Sequence, residues 1–244
     1  MRRSLLLPRL ALTSAVAAVA LAGCSGEAMF PGAEDDGQET AAGETGAAQP
    51  AGPVECSEPP APPSDPMAFH PDDLPRPKSG DPETLTATVQ TNCGDIVIEL
   101  AAADAPQTVA SFEFLAKEGY WEDSACHRLT TSGIYVLQCG DPTGTGAGGP
   151  GYTYGIENAP ADGYYPPGTL AMARTMDPNS NGGQFFIVYE DTQLPTDGGG
   201  YSIFGTVVEG MEVVEKVAEA GVEGGASDGA PAQPISILSV EITQ

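Results

Sequence analysis

Basic residues are scarce in this 244-residue chain: 9 Lys and Arg stand against 34 Asp and Glu, a formal net charge of −25. So acidic a surface repels phosphate, which argues against a nucleic-acid partner. It also attracts anionic headgroups little, so any membrane contact needs another cause. Histidine is nearly absent too. Of the two, His70 lies in a Pro-rich stretch and only His127 lies in the later, strand-rich part. The five cysteines are scattered, so no metal-ligand cluster emerges and no cofactor is called for. There is no G-x-S-x-G elbow to anchor a serine hydrolase. Gly144-Thr145-Gly146-Ala147-Gly148-Gly149 does fit G-x-G-x-x-G, but Pro150-Gly151-Tyr152 follows instead of a helix. Among 31 glycines a chance match is easily met, and the stretch reads as a surface loop.

What is present begins with an address. Met1-Arg2-Arg3 is basic, and Leu10 to Ala22 carries no charge. A basic head, a short apolar stretch and small residues are the layout of a secretory signal, and the apolar run is too short to span a bilayer comfortably. It ends in Leu21-Ala22-Gly23-Cys24, which resembles a bacterial lipoprotein processing site. That resemblance implies a signal peptide over 1–23, lipidation of Cys24, and an extracytoplasmic protein held at the cell membrane through its lipid alone. The alternative is an ordinary signal peptide that happens to contain a cysteine.

From 24 to about 81 the chain is rich in Gly, Ala, Pro, Glu and Asp, with Phe30 and Phe69 as its aromatics. Such a segment buries too little apolar surface to offset its chain entropy, and it reads as a disordered, solvated linker stiffened by prolines. A partner-binding tail is the competing reading.

The pattern changes at Thr84. Leu85, Ala87 and Val89 alternate with polar residues, Asn92 to Asp95 makes a turn, and Ile96, Ile98 and Leu100 follow at period two, a hairpin signal. Pro106 to Lys117 reads as a helix with Val109, Phe112 and Leu115 or Ala116 on one face. Strand-like runs follow at 126–129, 135–138, 169–173, 184–189 and 202–208. Met211 to Ala220 is a second helix, with Val214, Val217 and Ala218 as its buried stripe, ended by Gly221. Ile235 to Ile242 closes the chain as a strand. Many short strands with two helices predict a mainly β barrel or sandwich.

Three segments then act together. Cys126-His127-Arg128-Leu129 leads into Tyr135-Val136-Leu137-Gln138-Cys139-Gly140-Asp141. Gly168 to Arg174 reads GTLAMAR. Asn179 to Ile187 reads NSNGGQFFI, followed by Phe204-Gly205 and Glu209-Gly210-Met211. In order, spacing and chemistry these resemble the cyclophilin signatures, over roughly residues 84–244, and most nearly those of extracytoplasmic actinobacterial members. The resemblance implies a domain over 82–244 folded as a closed eight-stranded antiparallel barrel capped by two helices. It also implies peptidyl-prolyl cis-trans isomerase activity on Pro-containing peptides and unfolded exported proteins, by a monomer.

By the same resemblance Arg128 is the catalytic residue; the plain alternative is a surface Arg with a carboxylate partner. Tyr135, Val136, Phe186 and Leu194 match the apolar pocket, though each could instead be barrel core. Gln138 and Gln184 match the polar wall, Ala173 and Arg174 the rim, and His127 reads as structural. The chain departs from the usual pattern in several places. Tyr135 stands for Phe, Arg174 for Asn and Tyr201 for His, and the loop between Arg128 and Tyr135 is longer than the common form. Gln193 stands where many members carry Trp, which implies weak cyclosporin binding. A catalytically weak binding module or chaperone for Pro-containing segments is the second functional reading.

Setting Cys24 aside leaves Cys56, Cys93, Cys126 and Cys139. Four cysteines in an exported protein suggest disulfides, with three pairings open. Cys126 and Cys139 sit at the ends of neighbouring strands, so Cys126–Cys139 is the expected bridge and Cys56–Cys93 the other. Four free thiols are the alternative.

Overall fold

The computed structural model describes residues 54–77 and 85–244. The expected signal peptide at 1–23, the expected lipidation site Cys24 and the expected linker at 24–53 and 78–81 lie outside the described residues. Strand β1 (Leu85–Thr91) turns through Asn92 and Cys93 into β2 (Gly94–Leu100), as the alternation requires. Helix α1 spans Pro106–Lys117, with Pro106 in the first turn, where a missing N–H breaks no helical bond. Ala105 offers no side-chain cap. Instead the N–H groups of Gln107 and Thr108 donate to the Glu157 carboxylate at 3.0 and 2.8 Å, and the Thr108 hydroxyl donates at 2.8 Å. An anion here meets the positive end of the helix dipole.

Short strands follow: β3 (Ser124–Ala125), β4 (Arg128–Thr130), β5 (Val136–Cys139), β6 (Tyr164–Tyr165), β7 (Thr169–Met172), β8 (Phe185–Val188), β9 (Thr192–Gln193) and β10 (Ile203–Glu209). Helix α2 (Met211–Ala220) lies between Gly210 and Gly221 and buries Val213, Val214 and Val217; Ala218, expected in that stripe, is half-buried. Then β11 (Asp228–Gly229) and β12 (Ser236–Thr243) end the fold. Among the described residues no helix is long and apolar enough to cross a membrane.

Ten strands form one antiparallel sheet in the order β11-β4-β5-β8-β7-β10-β2-β1-β12-β3, and β6 and β9 form a separate ribbon. This corrects the closed eight-stranded barrel: the sheet is a curled half-barrel of ten strands whose end strands, β11 and β3, do not pair. The cause is local. Residues 126–129, expected as one strand, break at Cys126-His127. The chain pairs through β3 with β12 on one side of the break and through β4 with β5 and β11 on the other. The ladder stays open between β3 at one edge and β4, which β11 covers, at the other.

Period-two alternation gives the central strands two apolar faces. On β8, Phe185 and Ile187 enter the main core while Phe186 and Val188 join a second cluster on the opposite face; on β5, Leu137 and Cys139 face the core and Val136 the cluster. The core is centred on Phe112 of α1, with ring centroids 4.7 Å from Trp121, 5.3 Å from Phe204 and 5.8 Å from Phe185.

Residues 54–77 differ from the solvated linker expected of them. Cys56 is disulfide-bonded to Cys93, and Ser57 exchanges hydrogen bonds with Asn92, N–H to carbonyl and carbonyl from side-chain amide, each 2.8 Å. Phe69 donates its N–H to the Pro150 carbonyl at 2.7 Å and sets its ring edge-on to Phe114, centroids 4.9 Å apart. Composition underestimates such a strap: a covalent tether and one aromatic anchor offset chain entropy that the segment's own residues could not.

Candidate active site

The outward faces of β5, β8 and β7 lie side by side, with Gln138 opposite Phe186 and Phe186 opposite Ala171. Over them opens a cavity of about 200 Å³. Val136, Phe186 and Leu194 form its apolar floor, and all three are buried. Ala173, Arg174 and Tyr201 stand at its rim, and Arg128 and Gln138 supply polar groups. The sequence brought these residues forward, and the fold brings them together.

Tyr135 is not among them; Ile134 lines the cavity in its place. Adjacent residues of an extended chain point to opposite faces, so Tyr135 and Val136 could not both enter. Tyr135 instead packs edge-on against Tyr189, centroids 5.9 Å apart, above a different hollow that also takes in Glu215 and Glu219. Parity counted back from Val136 was the available signal for Ile134. Gln193 does not line the cavity either; it pairs with Tyr164 on the β6–β9 ribbon.

Gln184 acts one step behind. Gln138 donates from Nε2 to Gln184 Oε1 at 2.9 Å, and Gln184 donates to the carbonyls of Gly146 and Gly148 at 3.1 and 2.8 Å. It also lines a neighbouring cavity of about 540 Å³ that shares Gln138, Ala173 and Arg174 with the first. The glycine loop 144–149 is thus structural, and its organiser is Asp141. That buried carboxylate accepts from the Thr143 N–H, the Thr143 hydroxyl and the Gly148 N–H at 2.7–3.0 Å. Burial opposes its ionisation, but these donors outweigh burial and hold its pKa below the usual carboxylate range. Gly140, at φ +90°, is required between β5 and this loop, since a Cβ there would run into the Gly183 carbonyl.

Arg128 is gripped on two sides. Its Nε and Nη2 donate to the two oxygens of Asp228, both at 2.8 Å, and Nη1 donates to Gln138 Oε1 at 3.1 Å. The bond to Asp228 raises the Arg128 pKa and lowers that of Asp228. Nothing in the sequence pattern pointed to Asp228, which comes from a Gly-rich stretch 100 residues away. Arg174 donates to the carbonyls of Gly200 and Thr175 at 2.6 and 2.8 Å and lies 4.8 Å from the Tyr201 ring, tying the Gly-rich 195–200 loop to the rim. His127 lies beneath Gly146, both ring nitrogens buried without a partner, and burial pushes its pKa down. Cys126 is bonded to Cys139, as expected.

Residues 86–242 match the family model described as cyclophilin type peptidyl-prolyl cis-trans isomerase/CLD. The chain belongs to the cyclophilin family. This cyclophilin is 45% identical over 195 residues to a probable peptidyl-prolyl cis-trans isomerase B of Mycobacterium tuberculosis, a match covering 73% of the chain and 62% of that relative. It is 44% identical to the Mycobacterium leprae protein of the same name, over 66% of the chain and 58% of the relative. The chain therefore spans about three fifths of the length of these relatives. A crystal structure of a Cryptosporidium parvum cyclophilin type peptidyl-prolyl cis-trans isomerase superposes with a TM-score of 0.57 at 32% identity, covering 66% of this chain and 99% of that one. A second structure of that protein, determined in the presence of the dipeptide Ala-Pro, gives 0.56 at 32% identity, covering 65% and 99%.

Proposed function

We propose that this cyclophilin is a peptidyl-prolyl cis-trans isomerase acting on X–Pro bonds of Pro-containing peptides and unfolded proteins. One observation carries the reading: an arginine fixed at the edge of an apolar cavity. The X–Pro amide resists rotation because the nitrogen lone pair is delocalised into the carbonyl, with a barrier of about 18–20 kcal/mol. No nucleophile, base or metal is needed to lower it. The cavity over Val136, Phe186 and Leu194 takes the proline ring. A guanidinium N–H donated to the prolyl nitrogen holds the lone pair there and removes double-bond character. The donor keeps its charge and rigid fork at all ordinary pH, and being prepositioned it favours the twisted state over either planar one. Gln138, itself oriented by Gln184, is placed to hold the substrate carbonyl. The Ala-Pro dipeptide used with the Cryptosporidium parvum relative is consistent with this substrate class. Exchange spectroscopy on an X–Pro peptide tests the proposal: faster cis-trans exchange with the purified protein supports it, and an unchanged rate refutes it.

The setting is read from the sequence. The chain is exported through the signal at 1–23, lipidated at Cys24, and assists folding of exported proteins outside the cytoplasm as a monomer. Support comes from the basic head, the short apolar run and the small residues before Cys24, and from two disulfides that suit an oxidising compartment. Replacing Cys24→Ser is expected to abolish lipid labelling and release the protein from membranes; normal labelling of that variant refutes the anchor.

A further inference from the structure

We infer that Asp228 is a positioning residue of the isomerase site, clamping the Arg128 guanidinium in the orientation that serves the prolyl nitrogen. The inference rests on the isomerase reading and deepens it. A guanidinium has five N–H donors. Two go to the Asp228 carboxylate and one to Gln138, which leaves one on Nη1 and one on Nη2 for a ligand. The fork is held from two strands, β5 on one side and β11 on the other. Without Asp228 only the Gln138 bond would remain, on a long side chain about a third exposed, at 37%.

The design of β11 supports this role. It is two residues long, it pairs only with β4, setting Asp228 opposite Thr130 and Gly229 opposite Leu129, and it adds nothing to the hydrophobic core. Its backbone is tied to the catalytic strand once more by the Thr131 N–H to the Ser227 carbonyl at 2.9 Å. A strand that buries little and delivers one carboxylate to one arginine is explained by the arginine. Electrostatics alone gives the opposite expectation. A carboxylate beside Arg128 opposes the positive charge offered to the substrate, so by charge alone its removal would raise activity. Positioning and charge therefore predict opposite signs. As a partly exposed ion pair the contact contributes little to stability, so loss of activity is separable from loss of fold.

The test is kcat and KM measured separately for wild type, Asp228→Ala, Asp228→Asn and Asp228→Glu, with the thermal midpoint of each. A misplaced donor costs rate rather than ground-state binding, so Asp228→Ala and Asp228→Asn are expected to lower kcat by about tenfold with KM changed less than about twofold. The thermal midpoint should stay near wild type, and Asp228→Glu should recover part of the rate. A kcat at or above wild type in Asp228→Ala overturns the inference and leaves the isomerase reading standing. So does a fall in kcat that merely follows the thermal midpoint and is not relieved by Asp228→Glu. A wild-type protein with no activity overturns the isomerase reading, and this inference with it.

Discussion

Cys126 is bonded to Cys139 beside the rung of β4 and β5 on which Arg128 faces Gln138. The bridge stands two residues from the arginine and next to the glutamine that orients it, at the point where the ladder breaks between β3 and β4. It supplies the continuity that backbone hydrogen bonds do not.

Reduction of this bridge, or Cys126→Ser with Cys139→Ser, is therefore expected to destabilise the domain by about 3 kcal/mol, from the entropy of a loop with a sequence separation of 13. Activity should fall as well, because the Arg128–Gln138 rung loses its neighbour. Denaturant unfolding with and without reductant reads the first effect. Non-reducing peptide maps that recover Cys126 and Cys139 as separate alkylated peptides would contradict the pairing.

The strand parity at Ile134 and Tyr135 gives a second expectation. Ile134→Ala shaves the cavity wall and should raise KM roughly fivefold, the effect of about 1 kcal/mol of lost apolar contact. Tyr135→Ala touches the Tyr189 ring on the other face and should leave KM unchanged. The reverse pattern in steady-state kinetics would restore Tyr135 to the site.

Asp141 links the glycine loop to acid stability. Its folded pKa lies below its unfolded value, so its ionised form stabilises the fold above about pH 4, and the contribution is lost as pH falls through the lowered pKa. Asp141→Asn should lower stability at neutral pH by about 2 kcal/mol and flatten the acid limb of the curve. Unfolding midpoints between acid and neutral pH check both.

The helix α1 cap is testable in the same way. Glu157→Ala leaves the N–H groups of Gln107 and Thr108 without their acceptor and should destabilise by about 1–2 kcal/mol. An unchanged denaturant midpoint would show that solvent replaces the carboxylate.

Much of this was legible in the sequence because it is local. Pro106 and Gly221 mark helix ends by their own backbone chemistry, and the alternation in 85–100 forces a hairpin with one buried face. The site was legible wherever one strand carries a recognisable run, as Gln184 and Phe186 do. What was hidden is long-range. Asp228 reaches Arg128 from a two-residue strand and Glu157 caps α1 from a loop, neither with any periodicity, so no window of sequence contains either relationship. The break at Cys126-His127 was hidden because a single short strand-like run over 126–129 gives no sign of switching partners. Phe69 was hidden because composition averages over a segment, whereas one ring against Phe114 and one bridge at Cys56 suffice to hold it.

The most direct test of the account is the X–Pro isomerisation rate of Arg128→Ala and Arg128→Lys beside wild type, with circular dichroism confirming the fold. Removing a prepositioned donor is expected to lower kcat/KM by about 100-fold or more, and lysine, which keeps the charge but not the fork, should not restore it. Wild-type catalysis by a folded Arg128→Ala protein would contradict the central claim.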